Sequence, residues 1–184
     1  MTPRARTGAT LALFLGVLVQ ACQRPADPEQ VRTVDTLIAS VESAMLALNE
    51  LDTARYRRCD SLYRADHTTL EQRFRDTLER GEAGLLGNHY LLMRAAARMG
   101  QDHATLESLL RSTVQRLRAL RTDIASGAMD PRAAAPAIAT EKVLLTQLEA
   151  DTHRAFDNYR SLQRAWDQRH QVAQLMGDAN PILP

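Results

Sequence analysis

Apolar residues recur every seven positions along most of this chain, and that recurrence leaves room for little except long α-helices packed on one another. Leu85, Leu92, Met99, Leu106, Thr113 and Leu120 form one row, and Ala96, His103, Leu110, Leu117 and Ile124 a second. Ile138, Leu145, Thr152, Tyr159, Trp166 and Ala173 repeat the pattern, with Leu148, Ala155, Leu162 and Met176 beside them. Paired rows at this spacing are the seam of one helix against another. Strand signals are missing: β-branched residues are sparse, and no alternating run sits between turn pairs. Alanine, leucine, glutamine, arginine and glutamate dominate, and all are good helix formers.

Punctuation residues divide the pattern. Asp27 can cap a first helix whose first residue is Pro28. Val34, Ile38, Val41, Met45 and Leu48 give it a 4-3-4-3 rhythm, which weakens over Asp52–Arg58 and resumes at Cys59, Leu62 and Tyr63. The expected end is near Arg64. Asp66 is expected to cap a shorter helix over 66–80 that holds Glu71, Phe74 and Leu78. Gly81, Gly84 and Gly87 then suggest a break, because each glycine costs a helix about 1 kcal/mol. The rows stay in phase across Gly100, so one helix is expected over 88–126, with a kink at Gly100-Gln101-Asp102 as an option. Gly127 sits where a helix C-cap is expected. Asp130 and Pro131 open a last helix over 131–176, irregular near Pro136 and ended by Gly177.

The fold class that follows is all-α: an elongated antiparallel three-helix bundle with an additional short helix. Helices 88–126 and 131–176 form its hairpin, each arm roughly 60 Å long at about 1.5 Å per residue. Leu109, Val114, Leu144 and Phe156 widen the apolar face beside the two rows, so the first helix is the natural third member.

The N-terminus speaks to location. Arg4 and Arg6 precede an apolar run from Leu11 to Val19, and Val19-Gln20-Ala21-Cys22 follows. That order is a secretory signal peptide. Its end resembles the lipobox of bacterial lipoproteins; Val19 and Ala21 fit the box and Gln20 departs from it. The resemblance implies that Cys22 becomes the mature N-terminus and carries the lipid, palmitate included, through a thioether. It also implies that Gln23 after the cysteine directs the protein to the outer membrane rather than the inner. The run is shorter than the roughly 20 residues of a spanning helix, which weighs against an uncleaved anchor. Ordinary secretion with Cys22 incidental is the other alternative. The domains expected are a signal peptide over 1–21, a lipid-anchored linker over 22–27, the bundle over 28–176 and a tail over 177–184. The linker Gln23–Asp27 spans at most about 17 Å. The segment Leu117–Gly127 (LRALRTDIASG) resembles helical envelope lipoproteins that are uncharacterised, and implies no activity.

Charge argues against nucleic acid as a partner. Loss of Arg4 and Arg6 takes the 23 basic residues to 21 against 22 acidic, which leaves no basic surplus for a phosphate backbone. Lys142 is the sole lysine. Cys59 is expected as a small buried residue in an oxidising compartment, with an intermolecular disulfide as its alternative.

The polar residues assemble no catalytic or metal set. Among the five histidines there is no His-Glu-x-x-His, and no Cys-x-x-Cys-His for haem. Asp167-x-x-His170 and Glu149-x-x-x-His153 come nearest to metal-ligand spacing, but both lie off the rows and are expected on solvated faces. His103 falls on a row and reads as a hydrogen-bonded core residue. Glu141 and Arg169 also fall on rows, where they are exposed near helix ends or paired to fix register. Tyr159 and Trp166 read as core, with an aromatic groove as the alternative. Serine elbows, Walker loops and Rossmann glycines are absent. Lipidation at Cys22 is thus the one expected site, with no catalytic residue, metal or cofactor. The expected function is that of a non-catalytic envelope lipoprotein, anchored to the membrane by its lipid and contacting another envelope protein. A metal- or ligand-binding bundle in the periplasm is the alternative.

Overall fold

The computed structural model describes residues 26–73 and 80–177. The expected signal segment, Cys22, most of the expected linker and the residues beyond Gly177 lie outside the described residues, as do Phe74 and Leu78. The described chain is all-α, with five helices: α1 (Pro28–Asn49), α2 (Thr53–Arg73), α3 (Arg80–Ala125), α4 (Pro131–Asp167) and α5 (Arg169–Leu175).

Local chemistry sets the helix starts. Asp27 caps α1, its Oδ1 accepting from the Glu29 amide at 2.9 Å and its carbonyl from Val31 at 3.1 Å. Asp130 does the same for α4, accepting from Arg132 N at 2.8 Å. Pro28 and Pro131 occupy the first helical positions, where no amide is needed. Gly127 closes α3 with φ 70°, a left-handed value that costs glycine nothing. Pro136 is absorbed within the first turns of α4 without ending it.

Four expected boundaries are corrected. The first helix does not reach Arg64. It stops at Asn49, because Asp52 caps a new helix instead, accepting from Ala54 N at 3.0 Å. Asp66 opens no helix; it lies inside α2 and accepts a hydrogen bond from Tyr90 Oη at 2.8 Å. Gly81, Gly84 and Gly87 do not break the chain but lie within α3. The last helix is not continuous to 176, since Gln168 separates α4 from α5. There Arg169 Nη1 donates to the Trp166 carbonyl at 3.1 Å, the acceptor that a continuing helix would offer to the His170 amide.

The described residues fall into two compact units. One comprises 26–40 and 114–144. Its core is built from Val34 and Leu37 of α1, Leu117 and Ile124 of α3, and Ala134 and Ile138 of α4, all buried. Polar links set its register. Gln30 Nε2 donates to the Pro131 carbonyl at 2.9 Å, Arg121 pairs with Asp35, and Arg116 grips the buried Glu141 through two bonds of 2.6 and 3.0 Å. Glu141 therefore takes the pairing role that its row position allowed.

The other unit comprises 41–113 and 145–177. Its main core joins Tyr56 and Cys59 of α2, Met93 and Ala96 of α3, and Tyr159, Leu162 and Ala165 of α4. A second cluster joins Leu86 and Tyr90 to Val172 of α5 and Met176 just after it. Gly100 has a steric task here: a Cβ at that position would lie 3.2 Å from Tyr56 Cβ. At Gly84 an added Cβ meets nothing within 4 Å. Gly84→Ala should therefore raise stability by about 1 kcal/mol, whereas Gly100→Leu should lower it by forcing α2 away. Urea denaturation of the two variants checks the contrast.

Candidate functional site

Helical spacing brings polar and apolar side chains together in one cleft of the second unit. Met99, Asp102, His103, Leu106 and Leu109 recur one turn apart, with Asp102 and His103 adjacent, and share a face of α3. Asp151, Arg154, Ala155 and Asn158 do the same on α4, and Tyr56 of α2 completes the lining. The half-open cleft has a volume of about 290 Å³. A second depression, along α4 from Asp157 to Asp167, is lined by that helix alone and is surface relief.

His103 is the central group. It is 4% exposed, and its ring tilts against Tyr56 at a centroid distance of 5.8 Å. Its Nδ1 has no hydrogen-bond partner, contrary to the satisfied core histidine expected for this row. Burial pushes its pKa down, against a smaller upward pull from Glu107, so the imidazole is neutral at pH 7. Burial and then Tyr159 push the Tyr56 phenol up to about 12, so it keeps its proton. A neutral imidazole beside a protonated phenol is a hydrogen-bonding and stacking surface.

At the mouth the charges are Asp102, Asp151 and Arg154. Arg154 Nη1 donates to Asp151 Oδ1 at 2.9 Å, and Gln147 Nε2 reaches the same oxygen at 3.1 Å. Asp102 is 71% exposed and 3.9 Å from Arg98. Leu109 remains 49% exposed at the edge.

The other singled-out residues lie elsewhere. His153, His170, Glu149 and Asp167 are exposed, and among the described residues no three metal-ligating side chains come together. Cys59 is fully buried, its thiol pushed up to about 11 by burial against the pull of Arg55 and Arg58. It is a thiol rather than a thiolate, and a disulfide to another molecule would require α2 to open. Tyr159 is buried in the main core, in edge contact with Tyr56 at 5.8 Å, while Trp166 is half-buried with the Arg169 guanidinium 4.7 Å over its ring. Arg169 Nε is buried without a partner.

Sequence reasoning missed His89. It is 1% exposed, its ring sits edge-on to Tyr90 at 4.9 Å, and neither ring nitrogen makes a hydrogen bond of normal geometry, although the ring faces the Ala165 backbone. The signal was present, since His89 extends the row of Ala96 and His103 by seven. His89 lies inside the helix expected over 88–126, and a row begun at Ala96 leaves it out.

The chain matches no protein-family model, no curated protein and no solved structure at a significant level.

Proposed function

We propose that this protein is a non-catalytic lipoprotein of the bacterial cell envelope, held to the membrane by a lipid on Cys22 and acting through contact with another envelope protein. One observation carries the reading: a basic start, an apolar run and Val19-Gln20-Ala21-Cys22 in that order. Gln23 favours the outer membrane. No helix among the described residues is long and apolar enough to cross a membrane, so attachment in this reading rests on the lipid. With only Gln23–Asp27 as tether, the helical domain stays near the headgroups, which raises its effective concentration toward membrane-bound partners.

The architecture that suits this role is the elongated antiparallel three-helix bundle with an additional short helix. Supporting it are the links among α1, α3 and α4 in one unit and the shared core of α2, α3 and α4 in the other. Apolar side chains left in solvent offer contact points: Val143 is 71% and Leu144 42% exposed, while Phe156 is half-buried.

Cys22→Ser should abolish lipidation and move the protein from the membrane to the soluble fraction. Unchanged fractionation and unchanged mass of the processed form would refute the anchor. Crosslinking in intact cells should capture an envelope protein. Recovery of the monomer alone, with a deletion strain lacking one specific enzymatic activity, would overturn the adaptor reading. The cleft beside His103 favours a second reading, a ligand-binding bundle.

A further inference from the structure

We propose that the cleft formed by Tyr56, the middle of α3 and the middle of α4 binds a small organic amine with an apolar body. Three independent features of the site lead there.

The first is size. A sealed apolar cavity of about 150 Å³ already takes up benzene, and this half-open cleft offers about 290 Å³. It lies at the lower end of the usual range for ligand pockets, so it fits a ring with a short side chain and not a peptide or a nucleotide.

The second is its floor. Tyr56 and His103 present aromatic rings, and Met99 and Leu106 flank them. His103 is 4% exposed and its Nδ1 lacks a partner. An unmet polar atom in such a site costs about 1–3 kcal/mol, a penalty that native cores rarely leave standing. His89 is also left without a normal hydrogen bond, but it does not line the cleft; His103 does, so a donor group entering the cleft can meet its Nδ1.

The third is the sign of the charge at the mouth. Two carboxylates, Asp102 and Asp151, face one guanidinium, Arg154, which is already committed to Asp151. Arg98 lies 3.9 Å from Asp102 but is 86% exposed and outside the lining, so a carboxylate or phosphate ligand would meet one more carboxylate than guanidinium on the cleft wall. An ammonium group would meet attraction from Asp102, while the aromatic floor tolerates the adjoining methylene groups and favours a nearby cation through the ring face. The ammonium is the donor that meets His103 Nδ1, next to Asp102 in the chain, while the apolar body lies along Leu106 and the half-exposed Leu109 at the edge.

The test uses phenethylammonium as the probe and 3-phenylpropionate as its anionic counterpart, each titrated into the full chain while the His103 and Tyr56 ring resonances are followed by NMR. The amine should shift both rings saturably and the anion should not. Asp102→Asn changes an exposed residue and should weaken amine binding about threefold to fivefold. Ala155→Met, which fills the cleft from its half-buried α4 wall, should abolish saturable binding while the far-UV spectrum stays helical. Should Ala155→Met not fold, Asn158→Trp at the exposed edge of the same wall serves as the blocking variant. Equal binding of amine and anion, no saturable shift of either ring, or unchanged amine affinity in the blocking variant would overturn the proposal.

Discussion

Leu117→Asp should leave this chain without a cooperative melting transition and with most of its helical circular dichroism lost. Leu117 is 1% exposed in the core of its unit. Replacing it removes the burial of a leucine side chain, worth about 1.5–3 kcal/mol. It also puts a carboxylate where no partner waits, at several kcal/mol more. A domain holds only about 5–15 kcal/mol in total, so the two losses together consume most of what keeps the helices packed. Leu145→Asp, at 6% exposure, should act in the same way. The informative control is Leu144→Asp. Leu144 is adjacent in sequence but 42% exposed, and the change there should stay within about 0.5 kcal/mol of the parent. A Leu117→Asp protein that melts like the parent would mean that the second row of α3 is not a buried seam.

That pair of neighbours also shows why the fold was readable from the residues. On a long helix, position modulo seven decides burial, and the rows placed Leu106, Leu110, Leu117, Leu120, Ile124, Ile138, Leu145, Leu148 and Leu162 inside, where they are. What failed was punctuation. Gly81, Gly84 and Gly87 looked like a break, yet their cost of about 1 kcal/mol each is local. Beside them, Leu86 and Tyr90 gain burial against Val172 and Met176, and that gain comes only if the helix continues. Asp66 and Asp52 are both aspartates with cap potential. Asp52 became the cap, whereas Asp66 found Tyr90, 24 residues away, a partner that no local pattern shows.

The cleft was less legible than the core for a related reason. Heptad position told that His103 points inward, but not that its Nδ1 would lack a partner. Satisfaction depends on atoms contributed by other helices, and α4 offers Ala155 and Asn158 at the cleft where a longer side chain would have closed it. Tyr56 lay in the stretch where the rhythm weakened. Its three-residue step to Cys59 and seven-residue step to Tyr63 put all three on one face, a signal hidden by reading that stretch as a mere interruption.

The two buried histidines should also make the fold acid-labile in a narrow window. Burial lowers the pKa of both His89 and His103 below the ordinary value of about 6.5, outweighing the upward pull of the Ala165 backbone and of Glu107. Once pH falls below about 6.5, the unfolded chain binds protons at these two positions while the folded chain does not. Acid therefore favours unfolding, and stability rises as pH rises through the same range. Each histidine contributes a slope of up to about 1.4 kcal/mol per pH unit until its folded-state pKa is reached. The measurement is the unfolding free energy by urea at several values between pH 7.5 and 5. His89→Gln and His103→Gln should each flatten the curve over that range, and the double variant should flatten it most. His153→Gln and His170→Gln, at exposed positions, should leave its slope unchanged. A parent curve that is already flat from pH 7.5 to 5 would show that the imidazoles take up protons inside the fold. In that case an acceptor must reach them, through the cleft for His103 and at the Ala165 carbonyl for His89.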